Sequence, residues 1–174
     1  GQYFLPEDWA ALLLQGCREL CREHPDVQVN AVSAAGARQS FVLLDGNGRA
    51  FLGLPNIDNR GRAYMAQVPE HDEIYRLSGK WATEDFGAAK LLGLRMQHPE
   101  QYEAVESVLS LSEWIAWIFT GRKVMEYTQA CESQLYDIGQ RSWSQTLCSF
   151  YGLRPEFLPP LQAAGTAVGP ILDT

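Results

Sequence analysis

The sequence holds no long apolar run, no cluster of basic residues and only three histidines. No stretch comes near the roughly 20 apolar residues that a bilayer-spanning helix needs, so no membrane span is expected. Lysine and arginine number 14 against 21 acidic residues, for a net charge of −7. They nowhere form the stripe of cations that displaces counterions from a nucleic-acid backbone, and no nucleic-acid partner is expected. The N-terminus lacks the basic, apolar, small-residue order of a secretory leader, so the expected compartment is the cytoplasm. His24, His71 and His98 stand alone in polar or proline-flanked surroundings. That leaves no histidine-based triad to defend.

Cysteine is sparse as well, with four residues. Cys17 and Cys21 are spaced i,i+4 beside Leu13 and Leu20, the pattern of a buried helix face. Cys131 and Cys148 have no cysteine or histidine at ligand spacing. All four read as reduced, structural thiols with no metal attached. Asp45, Asn47 and the glycines beside them suggest a calcium loop, but Ala50 stands where such a loop needs glycine and no acid closes it. The same glycines miss a G-x-G-x-x-G turn, because Phe51 occupies the third glycine's place.

What is present describes one ordinary globular domain. The 174 residues are 46% hydrophobic and 20% charged, and a chain of this length buries roughly 70% of its extended surface. From Pro6 to about His24, Trp9, Leu13, Cys17, Leu20 and Cys21 recur on one helical face, and Pro25 stops the helix. Val27, Val29 and Ala31, with Ser33, alternate with polar residues as a short strand would. Phe41 to Leu44 and Phe51 to Leu54 read as an antiparallel hairpin around the turn Asp45-Gly46-Asn47-Gly48. After Gly61 the pattern turns helical. Thr83 is placed to cap a helix through Phe86, Leu91 and Leu94, ending near His98-Pro99. Ser110 and Glu113 have capping-box spacing at the head of a helix that closes at Gly121. A further helix is expected from about Ser142 to Tyr151. One strand and one hairpin are too little sheet for a complete doubly wound domain, and their pairing edges would lie open. The chain reads as a piece of something larger.

Five segments, taken in order, resemble the FGGY family of carbohydrate kinases. "GQYFLPEDWA" is similar to the family's stretch before its first long helix, with Leu5 in place of the usual acid. "VSAAGARQSFVLLDGNGRAFLGLPNIDNRG" resembles the strand, substrate loop and hairpin that end in Asp-x-Arg, here Asp58-Asn59-Arg60. "SGKWATEDFGAAKLLGLRMQHPEQY" resembles the family's Lys-Leu-Leu-Trp helix. "VLSLSEWIAWIFTGRKVMEYTQACESQLYDIGQRSW" and "YGLRPEFLPPLQAAGTAVGP" resemble the two segments that follow. No one of them is specific; the ordered set is.

The resemblance implies an α/β fold: part of an actin-like (ribonuclease H-like) N-terminal domain of a sugar kinase, with a β-hairpin and a helix-rich second half. Residues 1–174 are then expected to be a fragment of the sugar-binding domain, without the first strands, the catalytic aspartate segment and the C-terminal ATP domain. No catalytic or metal-binding residue is assigned within the chain. The implied activity is ATP-dependent phosphorylation of a sugar or polyol hydroxyl, with ATP and Mg bound by parts of the protein outside this chain. Family members are often dimers, which makes a homodimer the implied assembly. The alternative is a non-catalytic actin-like module for ligand binding or interaction.

Four positions match the family's substrate contacts. Arg38 and Gln39 sit where glycerol kinases carry Arg-Glu and xylulokinases Met-His; Arg38 reads alternatively as a surface ion pair with Asp58. Asn56 falls where many members place a tryptophan against the substrate, and it offers hydrogen bonds instead of a stacking face. Asp85 aligns with a substrate tyrosine of glycerol kinases, and either reads a hydroxyl or favours the N-terminus of the helix near Phe86. Asp58 and Arg60 are expected to brace their loop. Trp114, Trp117 and Trp143 are expected in the core, and Tyr127 is expected to be structural.

Overall fold

Four consecutive apolar residues, Phe41 to Leu44, make the central strand β1, and all four are buried. In the computed structural model, which describes residues 1–172, β1 pairs antiparallel with β2 (Ala50–Leu54) and, on its other side, with β3 (Ser107–Ser110). Side chains along a strand alternate between faces. Phe41 and Leu43 accordingly join one core cluster with Leu52, Leu54, Ile74 and Leu91, while Val42 and Leu44 join a second with Leu109, Leu111 and Trp114. A sheet covered on both faces needs no polar alternation, which is why β1 reads as an unbroken apolar run.

Helices supply the cover. In chain order they are α1 (Pro6–Glu23), α2 (His71–Ser78), α3 (Gly87–Gln97), α4 (Pro99–Glu103), α5 (Leu111–Thr120), α6 (Tyr127–Ser133) and α7 (Gln145–Tyr151). A 3₁₀ segment, Arg62–Gln67, links β2 to α2. Two small ribbons complete the second half: β4 (Met125–Glu126) runs parallel to β7 (Leu161–Gln162), and β5 (Tyr136–Asp137) pairs antiparallel with β6 (Ser142–Trp143).

The hairpin forms as its residues require. The Asp45 carboxylate accepts from the amides of Asn47 and Arg49, each at 2.9 Å, and so is occupied by its own turn. Gly48 takes the left-handed φ of +76° that the turn demands. The expected strand at Val27–Ser33 does not form. Val27, Val29 and Val32 are 65%, 53% and 49% exposed, and among the described residues no strand pairs with this segment to supply the ladder that extended backbone needs.

The helix expected from Pro6 runs to Glu23, but its cysteine face is not buried. Cys17 is half-buried, Cys21 is exposed and Leu20 is 58% exposed, since only the N-terminal end of α1 meets the sheet, through Ala10 and the preceding Phe4. The capping box at Ser110 is also absent. Ser110 is the last residue of β3, and its hydroxyl meets that of Ser112 at 3.1 Å instead of an amide. Thr83 caps nothing: its hydroxyl turns to Asp85, and α3 starts at Gly87. The last helix starts at Gln145, after Ser142 and Trp143 pair into β6, and Ser144 caps it by accepting from the Leu147 amide at 3.2 Å. Trp114 is buried, Trp117 and Trp143 pack half-buried against the two clusters, and Tyr127 opens α6 in an exposed position.

The approach of α3 to the chain leaving the hairpin is unusually close. A Cβ on Gly61 would lie 2.1 Å from the Ala89 carbonyl oxygen, and one on Gly93 would lie 2.6 Å from the Arg60 carbonyl. Both obstacles are backbone, so neither can rotate away. Gly93→Ala should therefore destabilise the protein by about 1–3 kcal/mol. A urea midpoint lowered at unchanged slope is the expected result.

Candidate functional site around Lys90

The two ends of the hairpin are drawn together by short side chains and one long one. Entering β1, the chain turns at Ala37–Ser40, and Gln39 adopts a left-handed φ of +62°, which costs a non-glycine residue about 1 kcal/mol. Leaving β2, it turns again at Pro55–Asp58, closed by the Asp58 amide on the Pro55 carbonyl at 3.0 Å. Buried Ser40 joins the turns: its Oγ accepts from the Asn56 amide at 3.0 Å, and its carbonyl accepts from the Leu111 amide at 3.0 Å.

Lys90 completes the join. It rises from α3, is wholly buried, and donates from Nζ to the Gln39 carbonyl at 2.7 Å and to the Asn56 carbonyl at 3.0 Å. One ammonium thus holds the main chain of both arms. Burial pushes its pKa down to about 8, against the nearby carboxylates of Asp58 and Asp85, which favour the charged form; the Arg60 guanidinium lowers it further.

Asp58 and Arg60 form the brace that the sequence led us to expect. Arg60 Nε donates to Asp58 Oδ2 at 2.6 Å, with both side chains at least 95% buried. The pair also clasps the N-terminal segment: the Gln2 amide donates to Asp58 Oδ1, and Arg60 Nη2 donates to the Gln2 carbonyl, each at 2.8 Å. Gln97 of α3 donates to the Arg60 carbonyl at 3.0 Å. Asp58 is therefore taken, and the alternative ion pair between it and Arg38 does not form. Among the described residues, Arg38 has no salt bridge.

Of the candidate positions Arg38, Gln39, Asn56 and Asp85, two touch this lysine. Gln39 and Asn56 touch it through their carbonyls, Arg38 adjoins Gln39, and Asp85 acts on it through its charge. Arg38, Asn56 and Asp85 are exposed and Gln39 is half-buried. None of the four lines the cleft of about 800 Å³ that residues 30–36, α5 and residues 162–171 form. Glu113 lines that cleft, with its carboxyl pushed up by burial and its Oε2 accepting from Ser112 at 3.1 Å.

Lys90 is the lysine of the Lys-Leu-Leu-Trp resemblance, and sequence reasoning gave it no role. Its signal was a lone cation inside Ala88-Ala89-Lys90-Leu91-Leu92, a stretch too apolar for a solvent-facing lysine.

Two measurements check this electrostatic picture. Arg60→Leu leaves the Asp58 carboxylate buried without its partner, and should lower unfolding free energy by about 3–5 kcal/mol. For Lys90 the folded pKa, about 8, lies below the usual 10.5. The unfolded chain then binds the extra proton between those values, so this group's contribution to stability rises with pH across that window. Cys148, pushed up to about 11 by burial, works in the opposite sense, so the comparison is with Lys90→Met. Wild type should gain about 2–3 kcal/mol on that variant between pH 7.5 and 10.

Comparison with known proteins gives the family. A family model for the N-terminal domain of the FGGY carbohydrate kinases matches residues 5–174. YoaC of Bacillus subtilis, named a sugar kinase, is 40% identical over 174 residues, which cover 99% of this chain and 36% of that protein. The autoinducer-2 kinase of Salmonella choleraesuis is 31% identical over 84% of this chain and 29% of its own length. The chain thus spans about a third of the curated relatives it matches. Among solved structures, the xylulose kinase of Lactobacillus acidophilus superimposes with a TM-score of 0.81 at 19% identity, over 93% of this chain and 34% of that one. Plasmodium falciparum glycerol kinase superimposes at 0.78 and 16%, over 95% and 35%. The fold is accordingly part of the actin-like sugar-kinase fold, and the chain belongs to the FGGY family of carbohydrate kinases.

Proposed function

We propose that this chain is the sugar-binding part of an ATP-dependent carbohydrate kinase, acting in the cytoplasm on a hydroxyl of a sugar or polyol. One observation supports the reading: a single buried ammonium holds the Gln39 and Asn56 carbonyls, which brings together the main chain that carries Arg38, Gln39 and Asn56, and the Asp85 carboxylate acts on the same ammonium through its charge. Polyhydroxylated ligands are held by polar side chains matched to their hydroxyls, because a buried hydroxyl left unpaired is costly. Arg38 supplies donors only, Asp85 acceptors only, and the amides of Gln39 and Asn56 supply both.

Phosphoryl transfer asks little covalent chemistry of the protein; alignment and charge balance dominate. In this proposal the four side chains do the aligning. ATP, Mg and the carboxylate that accepts the hydroxyl proton belong to segments outside this chain, and the homodimer rests on the family resemblance. The four free cysteines accord with a reducing compartment.

The test is kinetic. An ATP-consumption screen of the intact protein against ketoses, polyols and aldonates identifies the substrate. With it, Arg38→Ala should raise the sugar KM about tenfold or more, as loss of a charged hydrogen bond does, while the ATP KM stays within about twofold. Equal changes in both constants reject Arg38 as a sugar ligand.

A further inference from the structure

We infer that Lys90 is the positioning residue of this site, setting the spacing between its two substrate arms by holding the Gln39 and Asn56 carbonyls on one ammonium. The inference rests on the reading of Arg38, Gln39 and Asn56 as sugar contacts. It goes beyond it by naming a residue that touches no substrate.

The geometry distinguishes this lysine from an ordinary structural one. A lysine buried for stability usually meets a carboxylate. Among the described residues Lys90 has no salt bridge; of the two carboxylates whose charges act on it, Asp58 is committed to Arg60 and to the Gln2 amide, and Asp85 is exposed and accepts from Thr83. Both assigned hydrogen bonds of Lys90 go to main-chain carbonyls, at 2.7 and 3.0 Å. These carbonyls belong to residues 39 and 56, which sit at the two free ends of the hairpin. One of the two residues, Gln39, is held in a left-handed conformation that its side chain disfavours. Ser40 bonds the Asn56 amide from the same end, so the lysine and the serine together define how far apart the arms stand.

A change in that spacing moves Arg38 with Gln39 on one side and Asn56 on the other. Substrate alignment is sensitive to displacements of about 1 Å. The lysine therefore acts on the sugar through the arms. The burial that lowers its pKa is the cost of placing a charge there, and it accords with a group kept for placement over stability.

The variant is Lys90→Met, which keeps length and volume and removes the donors. Two readouts are taken. Amide hydrogen exchange reports on the Asn56 amide, bonded to Ser40, against the β1–β3 ladder amides as internal reference. Steady-state kinetics of the intact protein report the sugar and ATP KM values separately. We expect Asn56 exchange to accelerate at least tenfold with the ladder unchanged, and the sugar KM to rise at least tenfold with the ATP KM within twofold. A protein that merely lost stability would lower the active fraction and leave both KM values in place.

Unchanged Asn56 exchange overturns the inference, and so does faster exchange with an unmoved sugar KM. If the wild-type protein phosphorylates no sugar or polyol, the functional reading fails, and exchange alone then decides whether Lys90 sets the arms. If Lys90→Met does not fold, Lys90→Leu, which also removes the donors, is read by the same criteria.

Discussion

Everything at the candidate site hangs on the ammonium of Lys90. It is the point where helix α3, the entrance to β1 and the exit from β2 meet, and the two carbonyls it holds come from residues 17 positions apart in sequence. A charge is costly to bury, and charge-assisted hydrogen bonds to well-placed carbonyls are what offset that cost. The same requirement explains the glycine and alanine content of α3. Only small residues on that helix let its axis come close enough for a lysine to reach both arms, and the contacts at Gly61 and Gly93 show how little room is left.

The surrounding sheet gives the site its rigidity. Because β1 is covered on both faces, its two core clusters fix the ends of the hairpin from either side. The polar residues then sit at the ends of strands packed on both faces. This is the usual division of labour in binding proteins, with functional groups on loops and stiffness in the elements beneath them.

The hairpin and the bounds of α1 were legible because local signals dictate them: a tight Asp-Gly turn between apolar runs, and prolines at Pro6 and Pro25. The braced pair Asp58–Arg60 was legible through the resemblance of its motif. The segment Val27–Ser33 was misread because alternation records a preference for extended backbone, while strand formation needs a partner that no local pattern reveals. Ser110 was misread for a related reason. Its spacing to Glu113 suits a capping box, yet the same serine ends β3, and the sheet decides its geometry. The role of Lys90 escaped although its motif was matched, because a lysine in sequence carries no mark of burial beyond its neighbours, and its partners are backbone atoms of residues far away. The candidate contacts came from family resemblance; the device that gathers them became visible only in three dimensions.

The clasp on Gln2 extends this logic past the pocket. Its backbone is gripped from both sides, by Asp58 through the amide and by Arg60 through the carbonyl, and two residues on, Phe4 exchanges hydrogen bonds with Gly53 of β2. The ion pair that closes the exit of the hairpin is thus also the anchor of residues 2–4, so that a change in either of its members reaches two segments more than fifty positions apart.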